Sequence, residues 1–182
     1  MNKINLQGTI IMENGNYYIV VNRKKDKSDK IPLGSKRHSE NEPLNKFGYA
    51  LDLEPIVGQH VSIEGEWIPD DSKVNVKHYH SPERERDYSE FEFDGVVKKV
   101  PAVRITKTNR EVQDIIITLD GFKYGVKVVA WERIPEDFDC VNKRVKVKGY
   151  MQARDYSKKT SFGFQNATKY EVSLHHMELA DD

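Results

Sequence analysis

Several features that would decide the chemistry of this chain are scarce or missing. Among its 182 residues there is one cysteine, Cys140, and there are two tryptophans, Trp67 and Trp131. A lone cysteine excludes an intrachain disulfide and any cysteine-rich zinc site. No apolar run approaches the roughly 18 residues of a membrane-crossing helix, and the N-terminus lacks the apolar core of a secretory leader. A soluble, cytoplasmic protein is expected. Neither sign of charge is in excess: 29 basic residues face 29 acidic ones, and residues 1–89 carry 13 against 14 while residues 90–182 carry 16 against 15. A polycationic coat is therefore excluded, and any polyanion must be held in a local groove with the acids placed elsewhere. There is no phosphate loop, no Gly-x-Gly-x-x-Gly fingerprint and no nucleophile elbow. His78 and His80 would set two imidazoles on one strand face, but no third ligand follows at a suitable spacing. No enzyme activity, metal or cofactor is expected.

What the chain does have is a pattern that occurs twice. A strand carrying a glycine, Ile4-Asn5-Leu6-Gln7-Gly8-Thr9, is followed after a long interval by Val61-Ser62-Ile63-Glu64-Gly65-Glu66-Trp67. Phe93-Asp94-Gly95-Val96-Val97 is followed in the same way by Val145-Lys146-Val147-Lys148-Gly149-Tyr150-Met151. The glycine pairs are 57 and 54 residues apart. Such an interval suits a small barrel, in which a glycine lets a coiled strand bend and close the sheet. Hydrophobic residues make up only 37% of the chain, which suits two thin cores better than one thick one.

Strand patterning fills in the rest. In the first half, residues 4–12 and 16–22 form a hairpin about Asn14-Gly15, and 30–33 is a short strand inside the polar stretch 24–45. Residues 44–53 make a bent or helical connection, and 60–68 and 73–79 complete the set. Residues 81–90, with Pro82 and alternating Glu and Arg, read as a linker. In the second half, strands are expected at 90–99, 114–119, 122–131, 144–154 and 169–177. The stretches 104–110 and 155–168 are polar loops, and 134–139 connects across the barrel end. Three meander strands, a capping segment and a hairpin make the oligonucleotide- and oligosaccharide-binding (OB) fold. The expectation is an all-β protein of two tandem five-stranded OB-fold Greek-key barrels, each with a short helical or irregular connection: residues 1–80, a linker 81–90, and 91–180.

The segment Val128-Val129-Ala130-Trp131-Glu132-Arg133, followed by Lys143-Arg144-Val145-Lys146-Val147-Lys148-Gly149-Tyr150-Met151-Gln152-Ala153-Arg154-Asp155-Tyr156, resembles bacterial single-stranded DNA-binding proteins. In that family a Val-x-x-Trp-type strand end precedes a strand of the form Val-x-Val-x-Gly-x-Leu-x-x-Arg-x-Tyr. Gly95-Val96-Val97-Lys98-Lys99 and Glu171-Val172-Ser173-Leu174 fit the family's first and last strands. The resemblance spans about 85 residues, nearly all of the second half, and reaches the first half through the repeat. The family's acidic tail closing on an aromatic residue, which recruits partner proteins, has no counterpart in the ending Met177-Glu178-Leu179-Ala180-Asp181-Asp182. Some members carry two OB domains and dimerise, an arrangement this chain matches in outline.

The resemblance implies aromatic faces for base stacking beside cations for phosphates. In the second half the stacking candidates are Trp131, Tyr150, Tyr156, Phe162 and Phe164, with Arg104, Lys107, Arg110, Arg133, Arg154, Lys158 and Lys159 as phosphate contacts. In the first half the aromatics are Tyr17, Tyr18, Trp67 and Tyr79, and the cations Arg23, Lys24, Lys25, Lys36, Arg37 and Lys77. Adjacent Tyr17 and Tyr18 point to opposite sides of a strand, so at most one lines a groove. The function implied is sequence-tolerant binding of single-stranded DNA in replication, recombination or repair. Single-stranded RNA is a further ligand that stacking alone does not exclude. The competing reading is an OB-fold interaction module of a phage or plasmid replication assembly, with weak or indirect nucleic-acid contact. A homodimer and replication or recombination proteins are the protein partners to be considered.

Overall fold

The computed structural model describes residues 1–24, 26–36, 47–132, 134–135 and 137–180. Regular structure among them is all strand apart from one 3-10 turn at Glu54–Ile56. The first five strands are β1 (Asn2–Glu13), β2 (Asn16–Asn22), β3 (Ser28–Gly34), β4 (His60–Ile68) and β5 (Lys73–His80). They close in the order β1-β2-β3-β5-β4-β1, with β3 and β5 parallel and the other pairs antiparallel. Then come β6 (Ser89–Lys99), β7 (Arg104–Ile105), β8 (Glu111–Thr118), β9 (Val126–Ala130), β10 (Arg144–Thr160) and β11 (Gly163–Leu179). These close as β6-β8-β9-β11-β10-β6, again with the third and fifth strands of the ring parallel, and β7 adds two residues beside β8. The same OB-like topology is therefore built twice, as the repeat implied. No helix among the described residues is long and apolar enough to cross a membrane.

The repeated glycines occupy equivalent places. A Cβ on Gly8 would stand 2.2 Å from the Val20 carbonyl oxygen on β2, and one on Gly95 2.5 Å from that of Thr118 on β8. On the fourth strand of each ring, Gly65 and Gly149 would meet the carbonyl oxygens of Asn75 and Ser173 at 2.2 and 2.3 Å. Both of these also mark β-bulges: the register shifts at Glu64/Gly65, leaving Lys77 extra on β5, and at Lys148/Gly149, leaving His175 extra on β11. At all four positions only the absence of a side chain lets the neighbouring backbone approach as ring closure requires.

The rings are joined edge to edge. The first half of β1 pairs antiparallel with the first half of β6, Asn2↔Phe93 through Leu6↔Ser89, so both rings belong to one sheet. Residues 81–88 run between them tied down along their length. The fully buried Gln7 side chain donates to the carbonyls of Arg84 (2.8 Å) and Arg86 (3.1 Å), and it accepts from the N–H groups of Glu83 (3.0 Å) and Arg84 (3.1 Å) and from the Ser62 hydroxyl (2.9 Å). Asp70, in the β4–β5 turn, accepts from the backbone N–H groups of Lys123 and Tyr124 in the second ring.

The stretch 155–168, expected as a loop, is instead the outer part of a hairpin. β10 and β11 stay paired from Val145↔Leu179 to Thr160↔Gly163. Its sequence is polar because both faces of this two-stranded arm meet solvent, and that removed the alternation by which a strand is read. Near its root the arm lies across the first ring. Tyr170 packs on Trp67 with ring centroids 5.8 Å apart, and Asp29 on β3 accepts from the Ala153 N–H at 3.0 Å. Arg23 also donates to Asp29 at 2.8 Å. Burial pushes the Asp29 carboxyl above the ordinary aspartate range, against the opposing pull of the Ala153 N–H and Arg23.

Two outcomes follow from this packing. Gly149→Ala should lose about 1–3 kcal/mol of unfolding free energy in urea, because the new Cβ would press on the Ser173 carbonyl and on the buried Val172 side chain. A carboxyl whose pKa rises on folding contributes fully only below its unfolded value, and that contribution is lost as pH climbs through the folded one. Wild-type stability should therefore fall relative to Asp29→Asn as pH rises above the ordinary aspartate range, about 4, read as the difference between paired urea melts.

Candidate functional site

Trp131 follows directly on β9, and its position is set by strand pairing. The parallel register Val128↔Val172 and Val129↔Ser173 places Ser173 next to the indole, whose Nε1 donates to Ser173 Oγ at 2.8 Å. One indole edge is thereby fixed while the ring stays half-buried, outside the core cluster. Arg110, exposed on the loop before β8, sets its guanidinium 5.3 Å from the ring centroid. The two border an open cavity of about 570 Å³ whose wall includes Phe138, Leu174, His175 and His176. Successive strand residues ordinarily face opposite ways, which would put His175 and His176 on different faces. The bulge at Gly149 inserts His175 as an extra residue, and both line this one cavity.

His175 also borders a second opening. Its ring lies 5.4 Å from that of Tyr150, and the two stand at the edge of a cleft of about 1500 Å³ between the rings. The opposite wall comes from the first ring and the connecting segment, with Arg23, Lys24, Lys27, Arg86 and Tyr88. Three acids also reach this cleft. Asp29 is taken by Arg23, and Asp87 by His60 and by the Asn22 N–H, which leaves Glu85.

The arm carries the third group. Lys169 stands 4.4 Å over the Tyr156 ring, and Lys158 and Lys159 are exposed toward the tip with no ion pair among the described residues. At the tip Phe162 is 100% exposed and Phe164 79%. Side chains of this size are rarely left in water without a contact to make.

Other predicted positions are occupied otherwise. Trp67 is only 4% exposed, buried between its own ring and Tyr170, so it offers no face. Arg104 is bound to Asp114 through two hydrogen bonds (3.0 and 3.2 Å), and Arg154 is paired with the buried Glu171 at 3.4 Å. Arg23 is committed to Asp29, and Lys77 lies 3.7 Å from Glu66. Tyr17 is buried and donates to Glu54, whereas Tyr18 is half-exposed beneath Lys30, 4.8 Å from its centroid. Tyr79 and Lys107 are exposed, the one near the end of β5 and the other in the loop before β8. Lys25, Arg37 and Arg133 lie outside the described residues.

The structure thus places Trp131 and Arg110 at one cavity, Tyr150 at the adjoining cleft, and Tyr156, Lys158, Lys159, Phe162 and Phe164 on the arm. Sequence reasoning missed Ser173, His175, Lys27, Arg86 and Tyr88. The serine depends on strand register, the histidine on the bulge, and the other three on how the connecting segment folds back.

No protein-family model matches the sequence, and no curated protein does. Two solved structures of the single-stranded DNA-binding protein from Thermus aquaticus are similar to the chain in fold. A deletion mutant of that protein aligns with a TM-score of 0.55 at 16% identity, covering 100% of this chain and 95% of its own. The wild-type form aligns with a TM-score of 0.54 at 16% identity, covering 100% and 94%. The likeness covers the whole chain, both rings included, and shows a shared fold.

Proposed function

We propose that this chain binds single-stranded DNA with little sequence preference, as a tandem-OB relative of bacterial single-stranded DNA-binding proteins, in replication, recombination or repair. In this reading residues 1–80 and 91–180 are its two domains. The observation that carries it is Trp131, tethered at its indole nitrogen by Ser173 and faced by a guanidinium free of ion partners among the described residues. The site lies at the end of the ring's third strand, and the arm formed by its last hairpin projects nearby, the two regions with which OB folds hold oligonucleotides. A base stacking on the indole displaces Arg110 toward the adjoining phosphate. Stacking of this kind accepts any base, and Lys158 and Lys159 add charge without reading sequence. The Thermus aquaticus proteins of the same fold are named for binding single-stranded DNA, which supports the choice of ligand.

The bare Phe162 and Phe164 favour a second reading for the arm tip alone, a contact with another copy of the chain or with a replication or recombination protein. The two differ in salt response, because single-strand binding weakens with added salt by about 0.7 log units per tenfold salt for each phosphate neutralised, and an apolar contact does not.

Titrating the protein with a mixed-sequence oligonucleotide should quench tryptophan emission. Trp131→Ala should weaken binding by about 1–3 kcal/mol, roughly fivefold to 150-fold. Trp67, being buried, should contribute almost none of the quenching. Absence of binding at low salt, or undiminished affinity in Trp131→Ala, would remove the reading.

A further inference from the structure

We propose that the cleft between the two rings is a second station on the path of the same strand, taking the nucleotides next to the one stacked on Trp131. The inference rests on the single-stranded DNA reading above and extends it to residues outside that site. Continuity comes first: His175 lines both the Trp131 cavity and the inter-ring cleft, so the two adjoin at this side chain. Size comes next. At about 1500 Å³ the cleft exceeds the roughly 300–1,000 Å³ that small molecules fill, and it suits a stretch of polymer.

Its chemistry also fits. The bulge at Gly149 brings out His175 beside Tyr150, giving a second flat surface for a base. Of the three acids, Asp29 is ion-paired with Arg23 and Asp87 is hydrogen-bonded to His60 and the Asn22 N–H, so Asp87 and Glu85 together oppose Lys24, Lys27 and Arg86. Those three cations are exposed and have no ion pair among the described residues. The cleft is therefore net positive within a chain whose total charge is zero. A phosphate backbone is the ligand that gains most from three free cations beside an aromatic pair.

The test uses oligothymidylates of about 8 and about 25 nucleotides, the shorter within the reach of one OB fold and the longer spanning two. The triple variant Lys24→Ala/Lys27→Ala/Arg86→Ala should bind the shorter oligomer within about twofold of wild type. It should lose about tenfold or more for the longer one, and the salt slope for the longer one should become shallower by about 2, three contacts at about 0.7 each. Exchanging the three for the other basic residue, Lys→Arg and Arg→Lys, should restore the long-oligomer affinity. An unchanged affinity and slope for the longer oligomer would overturn the path, as would equal weakening for both lengths. A wild-type protein that binds neither length would overturn the Trp131 reading itself, a distinguishable failure.

Discussion

Everything in this structure depends on how one strand divides its edge. β1 gives the second half of an edge to β2 of its own ring and the first half to β6, while β6 divides its edge between β8 and β1 in the same way. Gly8 and Gly95 are 87 residues apart, and the same offset relates Ile4 to Phe91, which are directly paired across the junction. The junction is therefore nearly self-complementary, like the interface of a two-fold dimer written within one chain. It also consumes strand edges that would otherwise be open to other chains. Phe91 and Phe93, stacked with centroids 4.5 Å apart and fully buried, fill the layer beneath it.

The approximate symmetry extends to the loops and then breaks. The β4–β5 turn of the first ring reaches the β8–β9 turn of the second through Asp70, and the β10–β11 hairpin of the second ring reaches β3 of the first through Ala153 and Asp29. The first connection is a four-residue turn, whereas each strand of the second runs for 17 residues. The long arm therefore has surface left over after docking, and its tip residues Phe162 and Phe164 project free. Burial of Asp29 beneath the arm is costly for a charge, and Arg23 and the Ala153 N–H offset only part of it, so the contact specifies where the arm lies more than it stabilises it.

Much of this was legible in the sequence because it is enforced by backbone geometry. A glycine required wherever two strands close on each other leaves a mark at fixed intervals, and Asn14-Gly15, both at positive φ, announces its hairpin. The boundaries of β2 and β4 could be read to the residue because their apolar positions alternate against a single core. The arm could not be read, since pairing without burial leaves no hydrophobic period. Nor could the state of individual cations. Arg104 and Arg154 look like Lys158 and Lys159 in sequence, and only the placing of Asp114 and Glu171 on neighbouring strands neutralises the first two. The chain's zero net charge is thus unevenly used, with acids concentrated in internal pairs and the uncommitted cations left along the cleft and arm.

Comparing the rings position by position shows why they should not do the same work. Trp67 and Met151 each follow the bulge glycine by two residues, and both are buried, so that position is an inward one and the tryptophan there is a core residue. The parallel registers Gly34↔Asn75 and Val129↔Ser173 then align Lys36 with Trp131, and Asn75 with the serine that holds the indole. In the first ring Asn75 Oδ1 instead accepts from the Ala50 N–H, and the Lys36 N–H donates to the Leu51 carbonyl, so the chain's own segment at 50–51 fills the place that is open beside Trp131. The proposed stacking platform thus has one copy per chain, and the first ring's share of the path is a charged wall facing the cleft. The repeated topology gives two barrels of one design, and the long hairpin together with the closed-off first ring makes them unequal.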